Sequence, residues 1–407
     1  YVIDSGFVKQ RQYNPTTRMY SLDAVEISKV QANQRAGRAG RTRPGKCYRL
    51  YPLSVYGKKF LDATVPEIQR SSLAGSVLYL KSLDLQDIDI LKFDFLDPPS
   101  YDALEDALKQ LYLIDAIDEN GSITSLGRTM AELPLEPSLS RALLEANELG
   151  CLSQALTVAA MLSAETTLIP SHSMSAEKKR KHQPSTLPNG FGLGDHIQLL
   201  QIYELWHQID DKADWCRANN LQMRAMKLVD NVRDQLCQIM QKIAKGPMHV
   251  KISKRHEEDR NYTALRKSLF SGHTNQIAER MLHHNGYKTL GLKAQQQLVQ
   301  VHPSSVLKTD EDGKYPDYVI YHELVATSRP YMRNVCTVKM HWIQPVLDKF
   351  SRLDVNKLRC NNNMIYSPSE KKKKTGIRFI YQPMDDDDKE SKIRAARERY
   401  LARKNGK

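Results

Sequence analysis

Three arginines stand three residues apart in the stretch QRAGRAGR, residues 34–41. Only Ala and Gly separate Arg35, Arg38 and Arg41, so a helix would bring their guanidinium groups to roughly one face with room for close backbone approach. A planar guanidinium stays charged and pairs well with phosphate oxygens. Gln34 adds a neutral group able to orient a water. The cluster predicts a triphosphate site in which fixed cations stabilise developing charge; the alternative is a basic helix end that binds any phosphate.

The elements around this cluster are predicted from local signals. Ser28-x-x-Gln31 is a capping-box pattern, which predicts a helix start; the helix is expected to end near Gly37 or Gly40. Upstream, FVKQRQY and MYSLDAVEI flank the turn sequence NPTTR and predict a β-hairpin, while GKCYRLY downstream predicts a strand. Strand, hairpin, helix and strand together are typical of the end of an α/β domain.

Chain length and charge distribution limit the number of domains and the kind of partner. A chain of 407 residues is expected to hold two to four domains. Residues 1–70 carry 13 Lys and Arg against 5 Asp and Glu, residues 351–407 carry 16 against 8, and the middle is nearly neutral. Such basic ends favour a polyanionic partner, nucleic acid first, although solubility alone would also explain them.

The sequence has no run of 18 apolar residues that would predict a membrane span.

Metal chemistry finds no support in the sequence. The six cysteines are scattered without a CxxC pair, and the histidines lack partners at ligand spacing, so no metal site is predicted.

The first residues, YVIDSGFV, have the pattern of a strand that has already begun. This pattern predicts that the chain is a fragment of a longer protein.

Periodicity predicts two helical regions and one β-rich region. Residues 65–136 combine two apolar helical patterns with an Asn-Gly turn, which favours a winged helix, either as a binding module or as a packing spacer. Residues 137–246 predict a helical bundle, interrupted by a polar stretch containing KKRK. Residues 285–350 predict short strands of a small oligonucleotide-binding barrel. The last 57 residues, with KKKK and DDDD, are expected to be a largely disordered basic tail.

The arginine cluster, followed by GKCYRLY, resembles motif VI of superfamily 2 helicases in its DEAH-box form. Further stretches resemble the C-terminal half of that family in order and spacing, namely VPEIQR, FDFLDPP, ALKQLY, LGRTMAELPLEP, AAMLSAE, VHPSSVL and YHELVATSRPYMRNV. The basic tail resembles that of the family's pre-mRNA-splicing type.

The resemblance implies a multidomain fold of α/β, α and β parts in a fixed order. Its expected modules are the end of a second RecA-like domain with the hairpin and motif VI, a winged helix, a ratchet-like helical bundle, an OB-fold barrel and the basic tail, at residues 1–62, 63–136, 137–265, 266–350 and 351–407.

The resemblance also implies site residues. Gln34, Arg38 and Arg41 are expected to face the ATP γ-phosphate, with Arg38 or Arg41 as arginine finger, while Arg35 braces the domain. The hairpin resembles the family hairpin that contacts RNA and helps to separate strands, and HPSS resembles a barrel segment close to the RNA backbone. The residues implied to bind RNA are Lys9, Arg11, Arg18, His302, Ser304 and Ser305.

Half of an ATPase site is absent from these 407 residues, because they contain neither a GxxxxGK[ST] sequence nor DEAH. The ligands of Mg²⁺ are therefore expected upstream, and the chain alone is expected not to hydrolyse ATP. The full protein is expected to be a nuclear, ATP-dependent 3′-to-5′ RNA helicase of pre-mRNA splicing, with a glycine-rich activator or spliceosomal proteins as partners. The alternative is a non-catalytic platform that binds RNA and protein.

Overall fold

The computed structural model describes residues 1–83, 89–168, 187–188, 190–244, 261–282, 286–291, 296–327 and 329–358. The KKRK stretch, His283 and His284, and residues 359–407 of the expected tail lie outside these ranges. No helix in the described part of the chain has the length and apolar content needed to cross a bilayer.

The N-terminal residues form the predicted small α/β unit. Strand β1 (Val2–Asp4) pairs in parallel with β4 (Cys47–Arg49), and the predicted hairpin is formed by β2 (Phe7–Asn14) and β3 (Met19–Glu26). Helix α1 (Lys29–Gly37) is followed by a 3₁₀ turn (Arg38–Gly40) and, after β4, by α2 (Leu53–Lys58).

The predicted capping box starts α1. The Ser28 hydroxyl accepts a hydrogen bond from the Gln31 backbone N–H, and the Gln31 side chain accepts one from the Ser28 N–H, both at 3.1 Å. Two otherwise unpaired donors at the helix start are thereby satisfied. Ala32 is fully buried against Ile27 and Phe60, which fixes the helix on the unit.

The next three helices share one core. Helices α3 (Ala74–Ser82), α4 (Tyr101–Leu113) and α5 (Ser125–Ala131) pack together. Around the predicted Asn-Gly turn after α4, Ile117 and Ile123 form a single antiparallel bridge. Gly121 in its turn has φ +78°, and a Cβ there would lie 2.2 Å from the Leu358 carbonyl oxygen. Only glycine fits at that position.

A helical bundle follows, as predicted. It comprises α6 (Pro137–Glu148), α7 (Leu152–Leu168), α8 (Asp195–Gln208), α9 (Lys212–Ala218) and α10 (Met223–Ala244). Helix α11 (Thr263–Gly272) spans residue 265, where the boundary between bundle and barrel was expected. It packs closely on α6, since a Cβ on Gly272 would lie 2.0 Å from the Ser138 carbonyl oxygen. Trp206 is fully buried in the core of this bundle.

Five strands close into a barrel. The strands are β5 (Ile277–Arg280), β6 (Tyr287–Thr289), β7 (Leu298–Val301), β8 (Tyr318–Ala326) and β9 (Pro330–Thr337). Neighbours pair in the order β5-β6-β7-β9-β8, β8 returns to β5, and only β7 and β9 run parallel. This is the connectivity of a five-stranded Greek-key OB barrel.

The expected β-rich region ends earlier than predicted. Residues after β9 form helix α12 (Met340–Arg352) and a short helix α13 (Val355–Leu358). Buried Ile343 and Val346 give α12 an apolar face at helical spacing despite Pro345 within it. The end of α12 and all of α13 lie within residues 351–358, which were expected to begin the largely disordered tail.

The N-terminal hairpin continues the barrel sheet. Strand β3 pairs in parallel with β8, with Met19 opposite Leu324 and Ser21 opposite Ala326. The hairpin and the barrel thus form one seven-stranded sheet. This pairing joins strands about 300 residues apart and was not predicted.

Candidate nucleotide and RNA interfaces

The arginine cluster separates into one braced and two unpaired side chains. Arg35 donates to Asp4 Oδ1 at 2.7 Å and to the Phe7 carbonyl oxygen at 3.1 Å. Arg38 lies in the 3₁₀ turn that continues α1, and Arg41 follows it; both side chains are exposed, as is Gln34. Within the part of the chain that the structure describes, these three side chains make no hydrogen bond or ion pair, so they remain available to a ligand.

Asp4 is the fixed end of this brace. Its buried carboxylate also accepts hydrogen bonds from the Gly6 N–H at 3.1 Å and the Tyr51 hydroxyl at 3.0 Å. Burial alone would raise the pKa of Asp4, but the bonds from Arg35, Gly6 and Tyr51 outweigh it and lower that pKa. The expected bracing role of Arg35 agrees with this geometry.

Close backbone contact shapes the loop beyond the arginines. A Cβ on Gly45 would lie 2.2 Å from the carbonyl oxygen of Ala39, whereas Gly37 and Gly40 face open space. The glycines within the cluster therefore leave the surface beside Arg38 and Arg41 accessible, and Gly45 lets the chain pass directly beneath the 3₁₀ turn.

The three basic hairpin residues have different environments. Lys9 is exposed. The Arg11 guanidinium pairs with Glu323 at 2.7 Å and lies 3.7 Å from the centre of the Tyr20 ring, with about half of its side chain still exposed. Glu323 also binds Arg333 at 3.0 Å, so a shared carboxylate ties Arg11 to the barrel.

Arg18 does not present its charge to solvent, contrary to the expectation for an RNA contact. Its side chain is 12% exposed and pairs through Nε with Asp106 Oδ1 at 2.7 Å. The second oxygen of Asp106 accepts hydrogen bonds from the Tyr13 hydroxyl and the Gln110 amide, each at 2.6 Å. The hairpin is thereby fastened to helix α4, and the guanidinium is enclosed in this contact.

The HPSS loop contains one outward and one inward serine. The Ser304 hydroxyl lies 2.7 Å from His302 Nδ1, which also accepts the Ser304 backbone N–H at 3.2 Å. Ser304 is exposed, and His302 packs edge-on against Tyr331. Ser305 instead turns inward and donates to Asp195, with its hydroxyl 2.8 Å from both carboxylate oxygens.

Asp195 is a buried anchor between bundle and barrel. At the start of α8, it also accepts the backbone N–H groups of Val306 and Val335, each at 2.8 Å. Burial raises the pKa of Asp195, and these hydrogen bonds act against that rise. A Cβ on the preceding Gly194 would lie 2.1 Å from the Val335 carbonyl oxygen, so glycine is needed for the approach.

Sequence reasoning missed all three anchoring carboxylates, Asp4, Asp106 and Asp195. The available signal was weak: an acidic residue directly before or within an apolar pattern, as in VID, LEDAL and GDHIQLL. Nothing local indicates the partner, because Asp106 and Arg18 are 88 residues apart and Asp195 and Ser305 are 110 apart.

Family models match three parts of the chain. The winged-helix part of the "Helicase associated domain (HA2)" matches residues 107–135, and its ratchet-like part matches residues 136–199. The "Oligonucleotide/oligosaccharide-binding (OB)-fold" model matches residues 265–350. The predicted winged helix, ratchet-like bundle and OB barrel are confirmed, in the predicted order.

One curated relative spans most of the chain. The pre-mRNA-splicing factor ATP-dependent RNA helicase prp22 of Schizosaccharomyces pombe is 39% identical over 350 residues, which is 86% of this chain. Together with the three family models, this identity places the chain in the C-terminal region of a DEAH-box helicase. The chain spans 28% of the length of that relative. Along the sequence of this DEAH-box region, the winged helix and ratchet-like bundle follow the segment that carries the arginines and precede the barrel that carries HPSS.

Proposed function

We propose that the chain is the C-terminal part of an ATP-dependent 3′-to-5′ RNA helicase that remodels RNA or ribonucleoprotein in pre-mRNA splicing. The observation that carries this proposal is the arrangement at α1, where Arg35 is held by buried Asp4 while Gln34, Arg38 and Arg41 stay exposed and unpaired within the described residues. A surface evolved only for solubility has no need of one braced and two unpaired arginines beside winged-helix, ratchet-like and OB modules.

The proposed nucleotide site is completed by a second domain. Gln34, Arg38 and Arg41 would approach the γ-phosphate, and one of the two arginines would act as the finger that stabilises transition-state charge. The phosphate loop and the Mg²⁺ ligands would come from sequence outside these 407 residues. Residues 1–62 would then be the end of a RecA-like domain, followed by modules at 63–136, 137–265 and 266–350. The basic tail would begin after α13, because residues 355–358 form that helix.

The proposed RNA surface is narrower than the one expected from the sequence. Lys9 and Arg11 on the hairpin, with His302 and Ser304 on the barrel loop, keep the role of RNA contacts. Arg18 and Ser305 instead hold these two elements in place, because their polar groups are engaged by Asp106 and Asp195. RNA is the proposed ligand of the folded region, and a glycine-rich activator or spliceosomal proteins in the nucleus are the proposed protein partners.

The proposal is tested by comparing this chain with a version extended upstream to include a GxxxxGK[ST] and a DEAH sequence. RNA binding and RNA-stimulated ATP turnover are measured for both, with Mg²⁺ present and after chelation. We expect both proteins to bind RNA and only the extended one to hydrolyse ATP. Turnover by neither would favour the non-catalytic platform, and turnover by the short chain would contradict the assignment of the nucleotide site.

A further inference from the structure

A strained aromatic residue projects from the segment that leads into α8. Gly190, Phe191 and Gly192 all have left-handed backbones, with φ of +64°, +53° and +74°. For the two glycines this conformation carries no steric penalty, but for a phenylalanine it is strained. Such strain in a bulky residue persists only where surrounding structure imposes it, and it concentrates at functional sites.

The surrounding structure does impose it. On one side of Phe191, the Gly190 N–H donates to the buried side chain of Gln201 at 3.1 Å. On the other side, the Leu193 carbonyl accepts the Thr337 N–H at 2.9 Å, and Asp195 holds the barrel two residues later. The backbone is therefore pinned on both sides, while the Phe191 side chain remains 65% exposed.

One neighbour of the ring is another aromatic residue. Phe191 and Tyr262 stack with their centroids 6.2 Å apart and their planes at 26°. Tyr262 itself has a left-handed backbone, at the start of α11. Two conformationally costly aromatics thus form a stacked pair at the surface, which is the kind of platform on which unpaired bases stack.

Phe191 forms one wall of a cleft whose other wall is the barrel loop between β7 and β8. The cleft has a volume of about 480 Å³ and is lined by Phe191, Gly192, Lys308, Thr309, Asp310, Lys314 and Pro316. Lys308 and Lys314 bring positive charge to the cleft, while Lys314 also pairs with Asp312 at 3.7 Å. The Asp310 carboxylate accepts the Lys314 backbone N–H at 2.8 Å, so it shapes this turn of the loop.

The cleft and the HPSS loop are held by the same buried residue, Asp195. Lys308 lies three residues beyond Ser305, whose anchor Asp195 lies three residues beyond Gly192. The same anchor therefore fixes both the HPSS loop and the segment that bears Phe191. We propose that this cleft is a further RNA subsite, which takes one unpaired nucleotide with its base on Phe191 and its phosphate near Lys308 and Lys314. This inference rests on the proposed RNA-binding function.

The test uses Phe191→Gly in the full chain, because glycine adopts the left-handed backbone freely and removes only the ring. We expect an unfolding midpoint close to that of the wild type and a roughly 5- to 100-fold weaker affinity for single-stranded RNA, the range for loss of one stacked base. Phe191→Trp should retain affinity. Tyr79→Ala is the matched control, since Tyr79 is an exposed aromatic residue on α3.

A second variant keeps the test decisive if the glycine variant unfolds more easily. Lys308→Gln removes one exposed charge and should lower the slope of log affinity against log salt by about one. If the wild type binds RNA and both variants bind it with the same affinity, the subsite alone is overturned. The cleft would then be left to a protein ligand. Absence of RNA binding by the wild type would instead overturn the proposed function.

Discussion

Identical residue types have different roles in this molecule according to what surrounds them. Arg35 and Arg41 belong to the same short motif, yet Arg35 is held by buried Asp4 and Arg41 is exposed. Ser304 and Ser305 are adjacent, yet one faces solvent and the other donates to buried Asp195. The burial of the partner decides which residue supports the fold and which can meet a ligand.

Arg41→Ala in the upstream-extended protein is expected to reduce ATP turnover at least about 100-fold, because a positioned arginine stabilises charge only in the transition state. RNA affinity and the unfolding midpoint should change little, and Arg43→Ala, which removes an exposed arginine two residues away, should leave turnover near normal. Steady-state ATPase assays check this. Normal turnover in Arg41→Ala would shift the finger role to Arg38.

The two serines of HPSS are expected to separate stability from RNA binding. Ser305→Ala removes a donor from buried Asp195 and should lower the free energy of unfolding by about 1–3 kcal/mol. Ser304→Ala removes an exposed hydroxyl, so it should leave stability unchanged and weaken RNA binding. Urea unfolding and RNA titration of both variants give the comparison. Equal effects of the two substitutions on stability would contradict the inward role of Ser305.

At the scale of elements, the hairpin is held by two neighbours at once. Strand β3 pairs with β8 of the barrel, and Arg18 reaches Asp106 on helix α4. Tyr13 adds a second bond to Asp106; burial raises the pKa of Tyr13, with the neighbouring carboxylate adding to the rise, so its hydroxyl stays protonated and donates. The proposed strand-separating hairpin is thus a rigid projection of the winged helix and the barrel.

Asp106→Asn is expected to lower the free energy of unfolding by about 3 kcal/mol or more, because Arg18 would keep a largely buried charge without its counter-ion. Loosening of the hairpin should also reduce strand separation in the extended protein more than it reduces ATP turnover. Urea unfolding and a duplex-unwinding assay measure the two effects. Asp102→Asn, at an exposed position of the same helix, should alter neither by a comparable amount.

At the scale of the whole molecule, the chain returns to its earlier modules after completing the barrel. Lys349 on α12 pairs with Asp115 beyond α4, and Leu358 on α13 is buried in the winged-helix core. The Leu358 carbonyl lies directly over Gly121. Leu358 thereby completes the core of a module whose other buried residues, Leu73 to Met130, lie more than 200 positions earlier in the chain.

Leu358→Ala is expected to destabilise the chain by about 2–4 kcal/mol, since it leaves a cavity in a core that cannot fully close around it. Hydrogen exchange should show the loss first in α3 and α4, which share that core. Asn356→Ala, an exposed position on the same short helix, is the control. A loss confined to the barrel would show that Leu358 does not belong to the winged-helix core.

The sequence by itself determined the features that depend on near neighbours. Capping at Ser28 and Gln31, the spacing of the arginines and the apolar periodicity of the helices each involve contacts within a few residues, so they can be read locally. The order of the winged-helix, ratchet-like and OB modules followed from motifs of the same kind. One prediction failed at α12, because the β-rich region was expected to extend to residue 350 whereas Met340–Arg352 forms a helix.

Only the tertiary structure decided which charged residues are free and which are bound. Arg18 differs from Lys9 because Asp106 happens to lie beneath it, and Ser305 differs from Ser304 because α8 brings Asp195 to one side of the loop. These pairings join residues 88 and 110 positions apart. No local pattern specifies them, since a buried carboxylate is tolerated only where the completed fold supplies its donors.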